Sequence, residues 1–342
     1  MKLRVLELSS CEEIITLLNR CKSDIQQHPD YMRLFSEYTG QKAAYLLYGD
    51  ENDFIMVPYF IRPLEEGYSD LVSPWYYGGP VCSSNDPGKM KELARGYTDA
   101  LSQYCESSKI VSEFQRLHPL LKNHELYTEN TFFDREIVYV DLRKSYDAIV
   151  SEYSRHTRKN LNKAERSSLI VKQDSRPEAL AEFIRIYSAS MDRKAAKPFY
   201  YFNQEFFSQL FSLLKKGALL LQVTLNGKAI CSSIELGNGF ILIDYLRGSE
   251  PEQFLLRPND AVVDSVIRWA KESGYSYFIL GGGNSNDPND GILRFKKSFS
   301  ATTASFYLYK KVHNKEMYKK LCKGREGLSF EQASFFPEYL KT

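Results

Sequence analysis

The sequence predicts an α/β (α+β) protein built from two modules, each a mixed, mostly antiparallel sheet flanked by helices. Three observations lead there. A chain of 342 residues is long enough for two domains with separate cores. Helical and strand periodicities alternate through both halves. The order of elements in the first half returns in the second, as a repeat of architecture without a repeat of letters. The boundary is placed after residue 144, giving modules at 1–144 and 145–342, the second ending in a helical tail.

The second half reads most clearly. A short strand at Leu169–Val171 comes first. Ser175-Arg-Pro-Glu178 has the spacing of a capping box, and Leu180, Phe183, Ile184, Tyr187 and Met191 then share one helical face. Asn203 caps a second helix with Phe206, Phe207, Leu210, Phe211 and Leu214 as its apolar face and Gly217 as its stop. Three strand-like runs follow at Ala218–Thr224, Ala229–Leu236 and Phe240–Leu246. Asn226-Gly227 joins the first two as a strong hairpin signal, and Gly237-Asn238-Gly239 joins the next two. Pro258 sits in the first turn of a third helix that buries Val262, Val263, Val266, Ile267 and Ala270 and stops at Gly274. Tyr277–Leu280 is a last buried strand, running into Gly281-Gly282-Gly283.

The first half has a similar order. Leu3–Leu8 reads as a strand, and Glu12–Arg20 and a stretch near Tyr31–Tyr38 as helices. Ala43–Tyr48 and Phe54–Ile61 form a hairpin across Asp50–Asp53. Asp86-Pro87 caps a helix with Met90, Leu93, Tyr97, Leu101 and Tyr104 inward, before a short strand at Ile110–Phe114. Between the halves, in Ser145–Arg166, an apolar stripe of Val150, Tyr153, Thr157 and Leu161 lies apart from a basic stripe of Arg155, Lys159, Lys163 and Arg166. That basic stripe is either a solvated helix face or a contact for tRNA or another phosphate.

Composition narrows the function. A net charge of +2 means that the chain as a whole is no polyanion binder, so any phosphate contact must be local. The six cysteines form no C-x-x-C pair and the five histidines no H-E-x-x-H, so neither a metal site nor a disulfide framework is expected. No signal core or apolar run of spanning length is present, and a soluble cytoplasmic protein without a transmembrane segment is the expectation.

Helix, helix, meander, helix, strand is the element order of the GNAT acyltransferase fold. Four segments carry a closer resemblance: Tyr245-Leu-Arg-Gly-Ser249, Arg257-Pro-Asn-Asp260, Ile279-Leu-Gly-Gly-Gly283 and Gly291-Ile-Leu-Arg-Phe-Lys-Lys-Ser-Phe299. Together they resemble the C-terminal module of FemAB-type proteins, which are similar to tandem GNAT domains. The resemblance covers about residues 145–310 well and the first half in outline, and its most specific part is the Phe-Lys-Lys-x-Phe element. It implies two GNAT-like modules. It also implies transfer of an aminoacyl or acyl group to an amine of a cell-envelope or peptidoglycan precursor, either nucleotide-sugar or lipid-linked. Aminoacyl-tRNA or acyl-CoA would be the co-substrate and, for the former, a partner.

Acyl transfer to an amine needs a neutral nucleophile, a polarised carbonyl and a home for the oxyanion. The family pattern points to Lys296 and Lys297 as the pair that binds and polarises, without dividing the roles, or else these are surface lysines on a turn. Asp244 is a candidate proton acceptor at the end of the third meander strand. Strand alternation would set it beside Leu242 and Leu246, with Tyr245 and Arg247 on the other face. A structural ion pair is the alternative for Asp244. Tyr245, Arg247, Asn259, Asp260, Gly281, Gly282, Gly283, Asn284 and Phe295 are the expected substrate contacts in this module. Asn259 and Asp260 stand where acetyl-CoA users carry a glycine-rich pyrophosphate loop, which favours aminoacyl-tRNA over acyl-CoA. In the first half, Trp75 and Tyr77 within Trp75-Tyr76-Tyr77-Gly78-Gly79-Pro80 form either a wall for sugar or peptide or a packed turn, and His118 shows no sequence partner. Two rivals remain: an acyl-CoA-dependent N-acyltransferase of an amino sugar or small amine, and a GNAT-like binding module without catalysis.

Overall fold

The computed structural model describes residues 2–214, 217–285, 287, 289–323 and 335–341. It divides into two compact units, residues 1–135 with 305–342, and residues 136–304.

In the first unit, β1 (Lys2–Glu7), α1 (Cys11–Leu18) and α2 (Pro29–Thr39) precede the hairpin β2 (Lys42–Gly49) and β3 (Phe54–Pro63). Then come β4 (Ser69–Val72), β5 (Val81–Cys82), the long α3 (Pro87–Ser107) and β6 (Ile110–Leu117). The chain crosses between units within β7 (Thr131–Asp141). The second unit holds α4 (Tyr146–Glu152), α5 (Arg155–Arg166), β8 (Ile170–Gln173), α6 (Pro177–Arg193) and α7 (Gln204–Leu214). It continues through β9 (Ala218–Leu225), β10 (Lys228–Gly237), β11 (Ile241–Ser249), α8 (Pro258–Glu272), β12 (Tyr277–Gly281) and α9 (Gly291–Lys297). The chain crosses back within β13 (Thr303–Val312) and ends in α10 (Lys315–Leu321) and the segment at 335–341.

The two units share one pairing logic. In the first the strands run β1-β2-β3-β4-β6-β13, antiparallel except for β4 with β6. In the second they run β7-β12-β11-β10-β9-β8, antiparallel except for β11 with β12. Each parallel pair is bridged by a helix, α3 or α8, because parallel strands need a crossover. The mixed, mostly antiparallel sheets flanked by helices are those the sequence predicts.

Local chemistry explains most boundaries. Asp86 Oδ1 accepts the Lys89 amide at 2.8 Å, and Asn203 Oδ1 accepts the Phe206 amide at 2.8 Å, so both predicted caps are made. Asn226 and Gly227 both have positive φ, as a type I′ turn requires. The capping box at Ser175 does not form. Pro177 takes the first helical position, which makes Arg176 the N-cap, and the Asp174 carboxylate holds the Arg176 guanidinium at 2.7 Å instead. The stretch 145–166 is two helices, broken where Ser154 caps α5 by accepting the Thr157 amide at 3.0 Å. Within α7, the side chain of Leu214 lies outside the described residues.

The module boundary also differs from the one expected after residue 144. Residues 305–342 group with the first unit because β13 pairs with β6 from Tyr307 to Val312, and because Met317, Tyr318, Cys322 and Phe336 bury themselves around Val111. The second unit's core sets Val262, Val263, Val266, Ile267 and Ala270 of α8 against the sheet. Each larger side chain there contributes about 1.5–3 kcal/mol by burial, which fixes α8 firmly.

Candidate functional site

The candidate site lies in the second unit, where the parallel pair opens. β11 and β12 pair only from Ile241–Ile243 to Tyr277–Ile279. Beyond that β11 keeps its partner β10, but no further pair joins it to β12. At this point β11 also carries a β-bulge. Ile234 lies opposite Leu246 while Glu235 lies opposite Asp244, so Tyr245 is an extra residue.

The bulge corrects the expected alternation. An unbroken strand sends residues three apart to opposite faces. With Tyr245 inserted, Asp244 and Arg247 meet, and Asp244 Oδ2 lies 2.5 Å from the Arg247 guanidinium. Opposite them on β10 stand Glu235 and Ser233. Leu246, expected beside Asp244, faces the other way, as does its neighbourhood: a Cβ added to Gly248 would lie 2.8 Å from the α6 backbone at Ile186 and Tyr187.

From the other side comes α9. Asp290 caps it, with Oδ1 accepting the Ile292 and Leu293 amides at 2.9 Å and Oδ2 accepting the Asn284 amide at 3.1 Å. Gly283 has no room for a side chain because a Cβ would stand 2.8 Å from Asp290 Oδ1. Its glycine therefore serves the cap. Gly281 has a φ of 90°, a left-handed conformation that favours glycine.

The two neighbouring lysines part company, since successive helical residues point about 100° apart. Lys296 Nζ donates to the Gly282 carbonyl at 2.8 Å. Burial lowers its pKa from 10.5 to about 8, opposed by Asp244 and helped by Arg247. Lys194, at the end of α6, is also held below its usual value by burial and by Arg193 and Arg247. Lys297 is exposed and pairs with Glu136 at 3.4 Å. The structure thus brings together Lys296, Asp244, Arg247 and Gly282, and leaves Lys297 outside that group; Tyr245 is buried.

Other predicted residues have structural employment. Phe295 packs on the core beside Phe299, with ring centres 5.3 Å apart. Asn259 Oδ1 accepts the Ser249 hydroxyl at 2.8 Å. Asp260 is buried and accepts the Asn160 amide at 2.9 Å, and burial raises its pKa. The first turn of α8 therefore already carries a buried carboxyl of its own. Arg155, Lys159 and Lys163 are exposed on α5, opposite the buried Thr157, Asn160 and Ala164.

Trp75 and Tyr77 belong to the first unit. Trp75 packs on Phe35, and its carbonyl accepts the Tyr31 hydroxyl at 2.8 Å. Tyr77 is buried between His118 and Phe306. His118 has the partner that the sequence hid: Nε2 lies 2.8 Å from Asp24 Oδ2, while Nδ1 accepts the Leu120 and Leu121 amides at 3.2 Å. Those two amides place the ring hydrogen on Nε2, so a neutral imidazole donates to Asp24 and both nitrogens are committed.

Sequence reading passed over Glu235, Lys194 and Asp290. The available signal was Glu235, a lone acid in the otherwise apolar and small run Ala229–Leu236. Among the described residues no cluster of three or more His, Cys, Asp or Glu is arranged to hold a metal ion, and no helix is long and apolar enough to cross a membrane.

Comparisons with known proteins agree with this placement of elements. Residues 151–297 match the family model described as acetyltransferase (GNAT) domain. The FemX crystal structure superposes with a TM-score of 0.70 at 12% identity, covering 94% of this chain and 99% of that one. L-PGS from Bacillus licheniformis gives 0.59 at 15% identity, with 89% and 92% covered. The C-terminal domain of a putative lysylphosphatidylglycerol synthetase from Agrobacterium fabrum gives 0.55 at 15% identity, with 90% and 93% covered. No curated protein matches the sequence itself. Residues 151–297 therefore resemble a GNAT acetyltransferase domain, within a chain whose fold is shared with FemX.

Proposed function

We propose that this chain transfers an aminoacyl or acyl group from a carrier to an amine of a cell-envelope precursor, with the chemistry in the cleft between β11 and β12. The observation that carries this reading is Lys296, a desolvated cation in the gap of the GNAT domain, beside an ion-paired carboxylate. The acceptor amine attacks the carrier's ester or thioester carbonyl and a C–N bond forms. The C–O or C–S bond to the carrier breaks, the carrier leaves with the electron pair, and the proton lost by the amine ends on it. Lys296 stabilises the oxyanion as a preorganised charge. Asp244, steered by Arg247, receives the amine proton on the way. Lys297, outside the cleft, suits a precursor phosphate as a mobile point charge.

Aminoacyl-tRNA is the preferred carrier. The buried Asp260 sits in the first turn of α8, where a pyrophosphate would need free amides and no negative charge. Arg155, Lys159 and Lys163 would contact its phosphates. A peptidoglycan precursor, linked to a nucleotide or a lipid, and a cytoplasmic site of action belong to the same proposal. So does a catalytic role for the second unit, residues 136–304. The second reading is acyl-CoA as donor, favoured by the match to the acetyltransferase family model.

Thermal-shift titration followed by a transfer assay separates them. Stabilisation by a UDP-linked muropeptide, with transfer from an aminoacyl-tRNA pool, is the expected result. Clear stabilisation by acetyl-CoA alone would replace the first reading by the second. Absence of transfer from either donor would favour a binding module.

A further inference from the structure

We propose that Glu235 is a positioning residue for the cleft, acting on Lys296 through Asp244 and Arg247. Glu235 is fully buried near the end of β10. Among the described residues neither of its carboxylate oxygens makes a hydrogen bond of normal geometry, although the Ser233 hydroxyl and the Tyr245 amide lie close enough to ease its charge. Its direct cross-strand neighbour is Asp244, which already holds Arg247 at 2.5 Å. One guanidinium thus faces two carboxyls, Glu235 fully buried and Asp244 largely so.

Titratable groups on β10, β11, α6 and α9 add to the balance. Cys231 and Ser233 share the β10 face, and Cys231 is raised to about 11 by burial. β11 contributes Asp244 and Arg247, α6 ends on Lys194, and α9 brings Lys296 with its cap Asp290. A fully buried carboxyl beside a second carboxylate resists ionising when the nearest guanidinium is already paired with that neighbour. Burial, then Asp244, raises the pKa of Glu235 well above the ordinary range, while Arg247 works the other way.

In its neutral form Glu235 leaves Arg247 to Asp244, and the pair is held on the cleft face. Once ionised, Glu235 competes for Arg247. Asp244 is then freer to attract the Lys296 ammonium, which becomes harder to deprotonate. Glu235 therefore sets the proton balance of a residue it does not touch. This inference rests on the proposed function only in treating Lys296 as the working cation.

The test uses the full chain and no substrate. Lys296 is labelled with trace acetic anhydride from about pH 6 to 10, and the modified peptide is quantified. E235Q keeps the shape and removes the ionisation. Its Lys296 titration midpoint is expected to fall by about half a pH unit, giving about twofold more labelling near pH 7.5, with the melting temperature at pH 6 unchanged. Coincident curves, or a midpoint moved upward, overturn the proposal. If E235Q does not fold, the 13C titration of the Glu235 carboxyl in the unaltered chain decides. A midpoint above about pH 6 supports the proposal, and an ordinary carboxylate value overturns it. Failure of the proposed function would look different: K296M would transfer at full rate while the coupling between Glu235 and Lys296 remained.

Discussion

Replacing Lys296 by Met should stabilise the protein at neutral pH, and the gain should disappear as pH rises. Burial lowers the Lys296 ammonium from its ordinary 10.5 to about 8 in the folded chain. The folded chain then binds fewer protons than the unfolded chain between those two values. Wild-type stability therefore rises with pH across that window, and the penalty for holding the ammonium is fully present below about 8. At roughly 1.4 kcal/mol per unit the shift would be worth about 3 kcal/mol. Lys296 is only part-buried, so screening by solvent reduces this to about 2 kcal/mol. Losing the bond to the Gly282 carbonyl returns about 1 kcal/mol. K296M should thus be more stable by about 1 kcal/mol at pH 7, with the difference closing and reversing toward pH 10. The chain has two tryptophans, Trp75 in the first unit and Trp269 in the second. With Trp75 replaced by Phe, urea unfolding followed by fluorescence reports the second unit alone. A difference between K296M and its parent that does not vary with pH would refute the reasoning.

Three further outcomes follow from the same geometry. If the ammonium of Lys296 does the work, transfer should fall about tenfold between pH 7 and pH 9, as the charged fraction drops from ~0.9 to ~0.1; a rising or flat kcat profile would exclude that role. Gly248→Ala drives a Cβ to 2.8 Å from the α6 backbone at Tyr187 and should cost about 1–3 kcal/mol by overpacking, read in the same unfolding assay; a neutral result would mean that α6 yields freely. Asp290→Ala removes the acceptor for the Ile292, Leu293 and Asn284 amides. It should reduce transfer at least tenfold while the sheet, followed by circular dichroism, stays folded.

The fold was legible wherever local chemistry set it. The Asp86 and Asn203 caps, the Asn226-Gly227 turn and the apolar face of α8 depend on residues within a few positions of one another, and the sequence displays such relations directly. β13 was not legible as part of the first unit because it pairs with β6, nearly two hundred residues earlier, and long-range pairing leaves no local trace. The site divides along the same line. The Phe-Lys-Lys-x-Phe element and the strand-end glycines mark the right region, but which lysine turns inward depends on how Asp290 sets α9. Strand alternation alone puts Asp244 and Arg247 on opposite faces, because one extra residue in one strand cannot be seen without its partner strand. The same bulge brings Glu235 into the group, although its letter stood in plain view in β10.

The two units answer differently to the same topology, and this yields a last prediction. Each has one parallel pair that opens, β11 with β12 and β4 with β6. In the first unit the opening is stitched shut by the chain that follows β4. The Ser73 amide donates to the Phe114 carbonyl at 2.9 Å, the Ser73 hydroxyl accepts the Arg116 amide at 3.0 Å, and Gly78 bridges to Leu117. Asn123 locks this turn: Oδ1 accepts the His118 amide at 2.8 Å, and Nδ2 donates to the Gly78 carbonyl at 2.8 Å. Asn123 is buried, so Asn123→Ala strands those groups and should destabilise the first unit by about 2–3 kcal/mol, seen through Trp75 fluorescence. Below the new melting point, transfer should be unchanged, because the aromatic turn at Trp75 and Tyr77 is packing. If transfer fails while Trp75 still reports a folded unit, the turn contributes to substrate binding, and the wall of aromatics that the sequence allowed would be the better description.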